Sequence, residues 1–205
     1  MKKIFFFGDS ICAGQHVSVH DGWVSKISRS LEGRAIVMCS AVSGRTTRQA
    51  LECMAYEVTS FSPDIMIIQF GMNDCNYWET DMGLPRVSVE SFRGNIKEIV
   101  DRAFAYGVKA VFLNANHTTG LTAEKMKHTD ITYQDSNALY GSVISDVAIE
   151  CQCAGLRVFF NDMNEEFGGY VPELLLPDKL HLSKKGHEVY YSCIYPRIEG
   201  VLSDF

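Results

Sequence analysis

Residues 2–14, KKIFFFGDSICAG, place four apolar residues together, Ile4 to Phe7, and then break into Gly8-Asp9-Ser10. A short apolar run ended by a Gly-Asp turn reads as a buried strand that feeds a helix. Ser10 is then either the cap of that helix or a nucleophile held at the end of the strand. Lys2 and Lys3 ahead of the run do not make a secretory leader, whose apolar segment needs roughly 7 to 15 residues.

The same strand signal recurs at Ala35 to Cys39, Asp64 to Phe70, Val108 to Ala115 and Leu156 to Asn161, each read as a fully buried strand. Helical spacing fills the intervals. In Val89 to Tyr106 an apolar stripe carries Phe92, Ile96, Ile99 and Val100, with Ser88 to cap the start and Gly107 to end it. Thr46 or Thr47 can cap a helix reaching about Ser60, a long helix is expected over Tyr133 to Ala154, and a last one from Ser183 carries Pro196, which should kink or break it. Alternating strands and helices argue for one α/β domain over 1–205, a parallel sheet with helices on both faces. Two loops, 71–86 and 116–130, are longer than a compact domain needs and are candidate lids or walls.

Composition excludes several classes. The 205 residues carry 25 acidic against 19 basic side chains, a net charge of -6, and 46% hydrophobic content. No basic stripe for nucleic acid or anionic lipid is present, and no segment is long enough to span a bilayer. Seven scattered cysteines without a C-x-x-C pair predict buried, reduced thiols and a cytoplasmic setting rather than disulfides or a zinc site. No cofactor or metal is implied, and the first strand is not followed by a nucleotide-binding glycine motif.

Open α/β sheets bind ligands at the carboxyl ends of their strands. Gly8-Asp9-Ser10 follows the first run, Ser43-Gly44-Arg45 the second and Gly71-Met72-Asn73-Asp74 the third. The segment PDKLHLSKKGH, with Asp178 and His181, follows the fifth. A hydroxyl, an imidazole and a carboxylate are what acyl transfer requires: Ser10 as nucleophile, His181 as its base, Asp178 to fix the imidazole. The backbone N–H groups of Ser10 and Gly44 and the Asn73 carboxamide would stabilise the oxyanion. Asp9 and Asp74 read as turn and loop supports, Cys12 and His187 as packing residues. His16, His20, His117 and His128 read as surface or loop histidines.

These blocks resemble the SGNH hydrolase superfamily, the GDSL-type esterases and lipases. Gly8-Asp9-Ser10-Ile11, Gly44 in SGRTT, the GMND stretch and Asp178 to Ser183 stand in the family's order over residues 8–187, with isoleucine where leucine is common. The resemblance implies a three-layer α/β/α, flavodoxin-like sheet in the order 2-1-3-4-5, with Ile4 to Phe7 as the central strand. It also implies cofactor-free hydrolysis of esters through an acyl-serine intermediate. Gly44 and Asn73 would flank Ser10.

The substrate is expected to be a small-molecule ester with a short acyl group, an acetyl on a carbohydrate or other polar alcohol, because the 116–130 loop is too polar for a broad lipid groove. Tyr77 and Trp78 are candidate substrate contacts, whereas Trp23 reads as core. A lysophospholipase or acyl-CoA thioesterase of the same superfamily is the alternative, and a non-catalytic binding protein that kept the fold the alternative of another class. The sequence leaves the oligomeric state open.

Overall fold

The computed structural model describes residues 1–204. Five strands, β1 (Lys2–Gly8), β2 (Ala35–Ala41), β3 (Ile65–Gln69), β4 (Ala110–Asn114) and β5 (Val158–Asn161), form one parallel sheet in the order β2-β1-β3-β4-β5. β1, β3 and β4 follow the apolar runs because both of their faces are covered, which removes the polar alternation of a half-solvated sheet. Ile4 to Phe7 and the whole of β3 and β4 are buried.

Two expectations are corrected here. β1 is an interior strand, but β3 holds the middle of the sheet, because β4 and β5 both add on the β3 side and only β2 on the other. β2 and β5 are edge strands rather than fully buried ones: Ile36 and Met38 are exposed on β2, and Phe159 and Phe160 are half-buried on β5.

The helices are α1 (Ser10–Ala13), α2 (Trp23–Ser30), α3 (Thr47–Phe61), α4 (Val89–Ala105), α5 (Tyr133–Cys153), α6 (Met163–Phe167) and α7 (Lys184–Ser203). Thr46 closes a capping box with Gln49 at the start of α3, and Ser88 accepts the Ser91 N–H at the start of α4. Helices α3, α4 and α5 pack in succession, and α2 and α6 each pack on α7. Pro196 lies within α7 without breaking it. The N–H it lacks would have bonded the carbonyl of Ser192, which lies on the exposed side, while Tyr190, Ile194, Ile198 and Val201 bury one stripe on both sides of the proline.

Trp23 is fully buried against Phe6 and Tyr190, as expected of a core residue. All seven cysteines are free; Cys12, Cys75 and Cys151 are buried as expected, but Cys39 and Cys153 are exposed. Among the described residues no helix is long and apolar enough to cross a membrane.

The parallel registers align the strand ends in one row: Ala41, Gly8, Gln69, Asn114 and Asn161 pair successively across the sheet. Every loop leaving this row opens on the same rim.

Candidate active site

The turn after β1 admits only glycine at its first position. A Cβ on Gly8 would lie 2.8 Å from the Gln69 carbonyl oxygen and 2.7 Å from Cys12 Sγ. Asp9 is fully buried and caps α1 by accepting the Ile11 N–H (3.0 Å). Ser10 is therefore the first residue of a one-turn helix, with its backbone locked and only 6% of its surface exposed.

The second loop is tied to this turn, since Val42 donates its N–H to the Gly8 carbonyl (3.1 Å). Gly44 has φ +81°, a left-handed conformation that a side chain would strain. Arg86 holds the same loop from outside, donating to the Gly44 carbonyl (3.2 Å) while its guanidinium stacks 3.9 Å from the Trp78 ring centre. Trp78, Arg86, Gln49 and Gly44 line a groove of about 480 Å³. Tyr77, paired with Trp78 in the sequence reading, instead packs against the core.

Asn73 directs its carboxamide N–H at Asp9 Oδ2 (3.4 Å), which brings the third loop to the Ser10 turn. Asp74 accepts the Thr47 N–H (2.9 Å) and hydroxyl, joining that loop to the start of α3. From α5, Ser136 donates to the Cys75 carbonyl (2.9 Å) and Tyr133 to the Met72 carbonyl. Burial pushes the Asp9 carboxyl up to about 7, an effect to which the nearby Asp74 charge adds and which the Ile11 N–H opposes. Asp74 is likewise raised by burial, to about 6, against the hydrogen bonds from Thr47.

His181 reaches this rim from the loop before α7. Its Nε2 lies 3.1 Å from Ser10 Oγ and its Nδ1 2.7 Å from Asp178 Oδ2. A carboxylate only accepts, so Nδ1 carries the ring proton, and Nε2 of the neutral ring is free to accept from the serine hydroxyl. The other oxygen of Asp178 accepts the N–H groups of Leu180 and His181, each at 2.9 Å. Burial acts to raise the Asp178 carboxyl, but these two N–H groups and the imidazole outweigh it and hold it below its ordinary value.

One residue of this assembly was misread in the sequence. His117 is fully buried, not a surface or loop histidine. Its Nε2 donates to the Leu180 carbonyl (2.9 Å), next to His181, and its Nδ1 accepts from the Tyr190 hydroxyl (2.9 Å). The carbonyl cannot donate, which fixes this tautomer. Burial lowers the imidazole to about 4. No spacing in NANHTTG announces this, because its partners lie 63 and 73 residues away. His187 is also buried, accepting the Trp23 N–H (3.4 Å), in keeping with a packing role. The 116–130 loop is anchored to the Asp178 loop, with the Gly120 N–H on the Lys179 carbonyl (2.9 Å) and Lys179 paired to Glu124 (2.6 Å).

The model of the GDSL-like lipase/acylhydrolase family matches residues 6–189, a span from β1 into α7 that includes all four loops of the rim. The chain belongs to that family. This acylhydrolase is 27% identical over 117 residues to a lipoprotein of Bacillus subtilis; the match covers 55% of the chain, which spans about half (47%) of that relative. It is 24% identical to an isoamyl acetate-hydrolysing esterase of Saccharomyces cerevisiae, over 97% of this chain and 86% of the relative. A crystal structure of a lipase/acylhydrolase from Enterococcus faecalis superposes with a TM-score of 0.76 at 25% identity, covering 98% of this acylhydrolase and 96% of that chain. The order 2-1-3-4-5 expected from the four blocks is the order found.

Proposed function

We propose that this acylhydrolase is a serine esterase that cleaves short-chain carboxylic esters through an acyl-serine intermediate. The observation that carries the reading is the continuous hydrogen-bonded chain from Ser10 Oγ through His181 to Asp178. In it, Ser10 attacks the ester carbonyl as His181 Nε2 takes its proton, and Asp178 stabilises the imidazolium. The oxyanion is received by the N–H groups of Ser10 and Gly44 and by the Asn73 carboxamide. His181 returns the proton to the departing alcohol, and water then releases the acid by the same steps in reverse.

An acetyl group on a carbohydrate or other small polar alcohol is the proposed substrate, with Trp78 as a contact in the groove beside Gly44 and Tyr77 as the wall behind it. The yeast relative, named for acetate-ester hydrolysis, supports the acetyl preference. The free cysteines fit a reducing, cytoplasmic compartment.

Hydrolysis of p-nitrophenyl esters from acetyl to palmitoyl, run beside fluorophosphonate labelling, tests both parts. A maximum at acetyl with label on Ser10 supports the reading. A maximum at octanoyl or longer would favour the lysophospholipase or thioesterase alternative, and an unlabelled Ser10 in folded protein would favour a ligand-binding protein that kept the fold.

A further inference from the structure

One imidazole beside the candidate triad is unused by the mechanism. His16 follows the end of α1, and its ring meets that of His181 edge-on, with centres 5.2 Å apart and planes at 87°. His16 has φ +69°, a left-handed backbone that non-glycine residues adopt rarely. Ligand-capable atoms of His16, Asp178 and His181 all lie within 4.8 Å of one another.

We propose that His16, Asp178 and His181 form a binding site for a borderline divalent cation, zinc above all, and that its occupation switches the esterase off. The site has the chemistry of a three-ligand zinc centre: two imidazole nitrogens and one carboxylate oxygen, with the fourth position open to water. Ligand atoms on a tetrahedral zinc stand roughly 3.4 Å apart at bond lengths of about 2.1 Å. Asp178 Oδ2 and His181 Nδ1 already stand 2.7 Å apart, and His16 is exposed, so rotation of the His16 side chain closes the remaining distance without disturbing the core.

Inhibition follows from the proton count on His181. The neutral ring has one N–H, which points from Nδ1 to Asp178 and leaves the Nε2 lone pair for Ser10. A metal on Nδ1 takes the lone pair exposed when that proton moves to Nε2. Nε2 then donates and can no longer accept the serine proton. A metal on Nε2 occupies the needed lone pair directly. Binding at either nitrogen silences the base, and no net proton is lost or gained by the ring.

The inhibition rests on the serine-esterase reading, whereas the binding does not, so the two are measured separately. Ser10→Ala protein titrated calorimetrically with zinc chloride should bind one equivalent, and cobalt(II) should give the visible absorption of a four-coordinate centre. His16→Asn in that background, an exchange that tolerates the left-handed backbone, should weaken zinc binding roughly tenfold or more. His16→Gln should do the same, and it replaces His16→Asn if that variant does not fold. His20→Asn, outside the cluster, should keep the affinity. In the otherwise native enzyme, zinc should inhibit p-nitrophenyl acetate hydrolysis reversibly with EDTA, and His16→Asn should raise the inhibitory concentration by a similar factor. Absence of saturable zinc binding, or binding and inhibition indifferent to His16, would overturn the proposal. An enzyme without ester hydrolysis but with His16-dependent zinc binding would sink the esterase reading and leave the site standing.

Discussion

Nε2 of His181 lies 3.1 Å from Oγ of Ser10, across 171 residues of chain. The contact is possible because the β1 turn and the loop before α7 open on one rim, and because His117 and Asp178 hold that loop from both sides. Removing either member of the contact should abolish hydrolysis while leaving the fold. For Ser10→Ala and His181→Ala we expect kcat to fall by about 10⁴-fold or more. Esterase assays beside thermal unfolding check this, and a comparable loss of stability would point to a structural role instead.

Asn73 and Asp9 act as a pair. Asn73→Ala should lower kcat roughly 10²- to 10³-fold with a smaller change in KM, because the lost N–H counts most when the carbonyl oxygen becomes charged. An effect confined to KM would exclude the carboxamide from the oxyanion site.

The raised Asp9 carboxyl predicts a pH dependence of stability. With a folded value of about 7 against an ordinary 3.8, the folded state binds more protons than the unfolded chain between these limits. Stability from this group is thus fully present below pH 3.8 and lost as the pH rises to about 7. Asp9→Asn, neutral and of the same shape, should gain stability relative to the native protein between pH 5 and 8. Urea midpoints measured at both ends decide it, and a constant difference would contradict the assignment.

His117 has the opposite sign. Its folded value of about 4 lies below the ordinary 6.5, so its contribution is present above pH 6.5 and lost as the pH falls toward 4. His117→Gln should flatten the acid limb of the stability profile. His117→Leu, which leaves the Leu180 carbonyl without its donor, should also lower kcat. An unchanged acid limb would mean that the imidazole is charged in the fold.

Gly186 tests the framework behind His181. A Cβ there would collide with the Leu174 carbonyl oxygen, at the start of α7. Gly186→Ala should therefore displace the 174–183 segment, costing about 1–3 kcal/mol and reducing kcat together with stability. A variant as stable and active as the native protein would show that this approach of backbone to helix is dispensable.

The sequence alone determined the layering. Apolar runs such as Ile4 to Phe7 and Ile65 to Ile68 are strands because a doubly covered parallel strand must be apolar on both faces, and the capping residues Thr46, Ser88 and Ser183 set the starts of their helices locally. The Gly-Asp-Ser turn was legible for the same reason: a short-range backbone requirement writes itself into adjacent residues. The tertiary structure alone decided which groups meet. Whether β1 or β3 is central, which strands form the edges, whether Pro196 breaks a helix, and that Trp78 rather than Tyr77 lines the groove depend on packing between distant segments. His117 is the sharpest case. An imidazole in a polar loop looks exposed until Leu180, Tyr190 and Phe167 close around it; the Leu180 carbonyl then fixes its tautomer, and burial, which no local pattern encodes, its charge.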